Sequence, residues 1–217
     1  TKFVKISSMT ITIKTDFINE EEIKKSRFIC HLKRISSEEE ARDFIAKIKK
    51  EHWKANHNCS AYTLGDRQEI QRTSDDGEPS GTAGVPMLEI LKKKEIINVC
   101  AVVTRYFGGI KLGAGGLIRA YAGSVNHAIE AVGLVEFINQ RELILNLDYS
   151  LYDSLQRFLI DQKIKISDSE FLSDIKVKCF IDEEKVDEVM NLLTETFNGK
   201  IIMKKGDSQQ VEVEFLS

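Results

Sequence analysis

Between Gly108 and Gly116, five of the chain's thirteen glycines fall within nine positions, and the cations Arg105, Lys111 and Arg119 bracket them. Glycine loses more conformational freedom on folding than any other residue, so such a cluster marks positive φ angles, tight packing or a ligand against the backbone. The flanking cations make an anion the ligand to expect. A helix predicted from Leu117 would add free N–H groups and a favourable dipole. In this reading Gly108, Gly109, Gly113, Gly115 and Gly116 let a phosphate or carboxylate approach, Arg105, Lys111 and Arg119 hold it, and Tyr106 and Phe107 offer a stacking face. A purely architectural reading stands beside it. Ala120, Gly123, Ser124 and His127 form a stripe of small residues along the helix, and an interior glycine costs roughly 1 kcal/mol relative to alanine, which a close backbone contact would offset.

A second loop, Ser74–Gly84, sets Asp75, Asp76 and Glu78 among Ser80, Thr82 and several glycines. Its acid spacing does not match a calcium loop, and turn chemistry explains Asp, Gly, Pro, Ser and Thr together. The expected role of these carboxylates is to position the cations of the first loop. His57 and Cys59, with Asp75 or Asp76, imitate a cysteine–histidine–acid set. However, side chains two apart on a strand stand too far apart for a firm thiol–imidazole bond, so His57 is assigned to loop positioning. Trp53 is read as capping the core in preference to stacking a base, and His31 and His52 as surface residues.

Nucleotide-binding motifs fail on their details. Gly108 and Gly113 have the spacing of a P-loop, but Ala114 and Gly115 replace its Lys and Ser/Thr. The dinucleotide pattern begins at Gly113 and Gly115 and breaks at Ile118. No metal and no cofactor are called for. Cys30, Cys59, Cys100 and Cys179 form no C-x-x-C pair and read as reduced, buried thiols.

The elements that position these residues follow from periodicity. Strands are predicted at Thr10–Lys14, Ser26–Ile35, Asn58–Leu64, Gln68–Thr73 and Ile96–Thr104, the last apolar enough to be central and covered on both faces. Ser37 and Glu40 make a capping box for a helix from Glu38 to about His52, Pro86 opens a short helix, and Leu117–Val132 forms another. From Glu142 the order is strand, helix, strand, strand, helix, strand, the ferredoxin-like arrangement. Ser150 and Asp182 are the expected caps, and Asn198-Gly199 the stop of the last helix. The fold class is α+β in two domains, residues 1–140 and 141–217, with residues 1–8 upstream of a natural start at Met9.

The composition is that of a soluble globular protein, with 42 % hydrophobic and 30 % charged residues. No apolar run approaches the roughly 20 residues that span a bilayer, and no export signal is apparent, so the expected compartment is the cytoplasm. Division at residue 140 gives 21 Lys and Arg against 18 Asp and Glu before it, and 10 against 16 after it. Any nucleic-acid contact therefore belongs to the first half.

The segments SDDGEPSGTAGVPMLEIL at Ser74–Leu91 and VVTRYFGGIKLGAGGLIRAYAGSVNHAI at Val102–Ile129 resemble the IMPACT family, in its bacterial YigZ branch. The resemblance covers nearly the whole chain from Met9. It implies a first domain of the β-α-β kind found in a small-subunit ribosomal protein and in domain four of elongation factor G, and a second domain similar to domain five of that factor. Eukaryotic members act in translational control and carry a further N-terminal partner-binding module that is not among these residues. What transfers is a cytoplasmic, translation-associated factor, monomeric or weakly dimeric, that contacts RNA, the ribosome or a protein partner through Ser74–Gly84 and Arg105–Arg119. The alternative at the same surface is a hydrolase or transferase acting on a small molecule or peptide. The resemblance transfers no catalytic residue.

Overall fold

The computed structural model describes residues 10–215, so the reading of residues 1–8 as upstream of a start at Met9 lies outside the described residues. The chain divides into two compact units, residues up to 136 together with those from 213, and residues 137–212.

In the first unit the strands are β1 (Ile11–Ile13), β2 (Phe17–Ile23), β3 (Ser26–Arg34), β4 (His57–Leu64), β5 (Ile70–Ser74) and β6 (Val99–Tyr106). The helices are α1 (Glu38–Glu51), α2 (Gly84–Lys93) and α3 (Gly113–Val132). Five strands form an antiparallel sheet in the order β2-β3-β6-β4-β5. The central place of β6 follows from its composition. Val99, Ala101 and Val103 pack on one side with Met87, Leu91, Leu117, Tyr121 and Val125 of α2 and α3. Cys100 and Val102 pack on the other with Ala41 and Ile48 of α1. An unbroken apolar run is what a strand covered on both faces requires.

The Ser37 hydroxyl accepts from the Glu40 N–H at 3.1 Å and so caps α1, whereas the Glu40 carboxylate accepts from Ser36 N–H and not from the cap residue. Strand β2 was not expected. Its sequence FINEEEI carries three consecutive acids, tolerable because β2 lies at the sheet edge and charge there blocks further pairing. A second correction concerns α3, which begins at Gly113 and not at Leu117, so Gly115 and Gly116 belong to its first turn.

The second unit contains the remainder of β7 (Leu134–Leu147), β8 (Ile166–Phe171), β9 (Ile175–Asp182) and β10 (Ile202–Phe215) up to residue 212, with helices α4 (Tyr152–Asp161) and α5 (Val186–Thr196). β7 lies between β9 and β10, and β8 flanks β9, which is the ferredoxin-like strand order. Alternation along β7 and β9 buries Leu143, Leu145, Leu147, Val177 and Cys179 against Leu155, Leu159, Val189 and Leu193. The expected caps Ser150 and Asp182 make no capping bond. Short 3-10 turns, Tyr149–Leu151 and Glu183–Lys185, precede α4 and α5 and supply their entry instead. Asn198 and Gly199 both have positive φ, 50° and 69°, as a left-handed stop demands. Among the described residues no helix is long and apolar enough to cross a membrane, and no group of three or more His, Cys, Asp or Glu is placed to hold a metal ion.

Candidate functional site

The two loops meet at one end of the first sheet, and the contact is built around a buried ion pair. Arg105, on the last turn-ward residues of β6, is 5 % exposed, and Glu78 is 8 % exposed. The Arg105 Nη1 donates to Glu78 Oε1 at 2.6 Å, and the Tyr121 hydroxyl of α3 donates to the same oxygen at 2.8 Å. His57 Nε2 stands 3.7 Å from the other carboxylate oxygen. The guanidinium lies over the rings of Phe28 and Phe107, each at 5.5 Å, and its Nη2 reaches Ser26 Oγ at 3.4 Å. Arg105, placed at the surface by the anion reading, is therefore spent inside the protein, where it ties β6 to the acidic loop.

Asp75 and Asp76 are used inside as well. Asp75 accepts from the N–H groups of Gly81, Ala83 and Gly84 and so holds the start of α2. Burial pushes its carboxyl up, and the three N–H groups more than offset that, leaving it below the ordinary aspartate range. Asp76 accepts from Asn58 N–H at 2.7 Å and pairs with Lys49 at 2.6 Å. Burial again opposes ionisation, and Lys49 and Asn58 again outweigh it, so this carboxyl also lies low. Thr82 is buried and donates to the Pro79 carbonyl, whereas Ser80 is exposed. The acids thus position the loop itself and the buried Arg105; none reaches Lys111 or Arg119 in a described bond.

His57 Nδ1 lies 2.9 Å from the Asp76 carbonyl, and the Cys59 thiol donates to the Asp75 carbonyl at 3.0 Å. Burial pushes that thiol up to about 12, which keeps it protonated at neutral pH. His31 departs from its expected surface position. It is 4 % exposed because β3 is an interior strand, and burial lowers its pKa to about 4. His52 is half-buried, with Nδ1 2.9 Å from the Tyr106 hydroxyl.

The glycines have different causes. A Cβ on Gly108 would run into the Lys25 carbonyl, so this position is a close approach between the β6 exit and the β2–β3 turn. Gly109 and Gly113 have φ of 87° and 70° with open space around them. Gly115 and Gly116 are helical, and the first of these faces only the Arg119 side chain at 3.7 Å. The close backbone contact expected at Gly123 is not formed; its nearest neighbour is His127 of the same helix at 3.8 Å. The other stripe residues, Ser124 and His127, bond the Glu21 carboxylate of β2.

What remains outward is a second set of residues. Lys111 and Arg119 are exposed, with no ion pair among the described residues, beside the exposed Phe107, Ile110 and Ile118. Trp53, expected to cap the core, is 73 % exposed. It follows α1 in a polar stretch, EHWKANHN, whose lack of apolar neighbours is the sequence signal for exposure.

Two family models match the chain: Impact N-terminal domain over residues 24–129, and a domain of unknown function, DUF1949, over residues 145–200. The chain is 46 % identical over 201 residues to the IMPACT family member YvyE of Bacillus subtilis, covering 93 % of each. It is 36 % identical over 183 residues to the IMPACT family member YigZ of Escherichia coli, covering 83 % of this chain and 90 % of that one. A crystal structure described as a hypothetical protein superposes with a TM-score of 0.58 at 33 % identity, covering 91 % of this chain and 97 % of the other.

Proposed function

We propose that this chain, which belongs to the IMPACT family, is a cytoplasmic, translation-associated regulatory factor that works by binding an anionic surface of the translation machinery. The family resemblance supplies the setting. The residues supply the chemistry, and one observation carries it: Lys111 and Arg119 are exposed without a described ion pair, while Arg105, Asp75, Asp76 and Glu78 are all consumed in holding the loops. Charges left free at the surface steer and hold a phosphate-rich partner, whereas buried pairs contribute rigidity. In this reading the carboxylate loop is the scaffold, and the 107–119 segment is the contact. The partner is RNA or a ribosomal surface.

The rival reading, a hydrolase or transferase at the same loops, would call on His57 for a base and on Cys59 for a nucleophile. The buried, protonated Cys59 does not provide one, and the two His57 ring nitrogens face the Asp76 carbonyl and Glu78. Co-sedimentation with purified ribosomal subunits tests the proposal. The unmodified chain pellets with subunits at low salt and the Lys111→Glu, Arg119→Glu double variant stays in the supernatant; equal pelleting of the two overturns it.

A further inference from the structure

Three segments converge at the sheet end that carries Lys111. The β2–β3 turn, Lys24-Lys25, has positive φ at both residues, 47° and 63°, and its Lys25 carbonyl abuts Gly108. The stretch after α1 is fixed by Asn56, whose N–H donates to the Arg105 carbonyl at 3.0 Å and whose Oδ1 accepts from Phe107 N–H at 2.8 Å. Trp53 is three residues before Asn56, so its Cα lies at most about 11 Å from that of Asn56.

Two exposed aromatic side chains belong to these segments, Trp53 at 73 % exposure and Phe107 at 45 %. The same segments and the start of α3 carry Lys24, Lys25, Lys54, Lys111 and Arg119, all exposed and none in a described ion pair. Lys54 Nζ lies 5.1 Å from the Trp53 ring centre. The acids on the same loops and hairpin are mostly engaged: Glu20 with Arg27, Glu21 with Ser124 and His127, Asp76 with Lys49, Glu78 with Arg105; Glu22 is exposed. Exposed aromatic faces set among free cations match the chemistry of single-stranded nucleic acid, whose bases stack while its phosphates pair. A duplex hides its base faces and would use only the cations. A protein partner would meet the aromatic rings but leave five positive charges to desolvate.

We propose that this cluster is a platform for unpaired nucleotides, with Trp53 and Phe107 stacking bases and Lys24, Lys25, Lys54 and Lys111 holding the backbone. It rests on the reading that this end of the molecule meets an anionic partner, and it specifies which one.

Trp53 is the chain's only tryptophan, so its fluorescence reports the site directly. The full chain is titrated at about 50 mM salt with a single-stranded RNA about a dozen nucleotides long, the same DNA strand, and a blunt RNA duplex. The platform predicts saturable quenching by both single strands and binding to the duplex at least about tenfold weaker. Phe107→Ala weakens single-strand binding about tenfold or more, and Lys24→Glu with Lys25→Glu flattens its salt dependence. Quenching equal for duplex and single strand, or absent with both single strands, overturns the platform. So does quenching by RNA-free ribosomal protein alone, which assigns the surface to a protein. If no single strand quenches while Lys111→Glu, Arg119→Glu still abolishes co-sedimentation, the platform fails and the broader function stands. If that double variant co-sediments normally, the broader reading fails with it.

Discussion

Replacing Glu78 by glutamine removes one charge from a pair that is almost wholly out of water, with side chains 6 % and 3 % exposed for Arg105 and Glu78. The Tyr121 hydroxyl still finds an acceptor in the amide oxygen, so the change isolates the ion pair. What remains is an uncompensated guanidinium between Phe28, Phe107 and Ser26. Breaking a buried pair from one side costs about 3–5 kcal/mol, because the surviving charge is left desolvated. In a unit of this size that is roughly 10–20 °C in melting temperature. The assay is thermal unfolding by circular dichroism, with hydrogen exchange of the β6 amides assigning the loss to the first unit. A second variant, Glu78→Leu with Arg105→Met, removes both charges and recovers most of the loss, apart from the Tyr121 hydroxyl bond. A melting temperature lowered by under about 2 °C in Glu78→Gln refutes the reasoning, because surface pairs are worth about that little.

Two further outcomes follow from the same geometry. Gly108→Ala forces the β6 exit away from Lys25 and lowers the urea midpoint, whereas Gly115→Ala, helical and facing only a flexible side chain, leaves the midpoint unchanged or raises it, by up to about 1 kcal/mol of stability. His31, ordinarily near 6.5 and lowered to about 4 in the fold, is protonated first in the unfolded chain. Stability is therefore full above the unfolded value and falls as pH drops from about 7 towards 4, by on the order of 3 kcal/mol. Urea titrations at the two ends of that window measure it, and His31→Gln loses part of the dependence; an identical pH profile in the variant contradicts the assignment.

Much of this architecture was legible because single residues report their own burial. The alternation of Leu143, Leu145 and Leu147, and the unbroken run from Val99 to Val103, each announce how many faces are covered. β2 was not legible, since an edge strand needs only one apolar face and its acids mask the period. The start of α3 was hidden because glycine has poor helix propensity, and tertiary context overrides it at Gly115 and Gly116. The site was legible in part: the acids were expected to position the cations, and Glu78 does pair with Arg105. Residue type and spacing marked Arg105 as an anion ligand, but its fate depends on Glu78, 27 positions earlier, and on three elements that enclose both. Trp53 was misplaced because a large aromatic residue was assumed to seek the core, against the polar company it keeps.

In this protein the exposed cations of the 107–119 segment, and not the buried Arg105, are proposed to meet an anionic partner. The affinity of the full chain for purified ribosomal subunits, measured across a salt series, tests it most directly. Log K is expected to fall steeply with log salt, and Lys111→Glu, Arg119→Glu to give a weaker, shallower line. Binding indifferent to salt, or two superimposable lines, would contradict it.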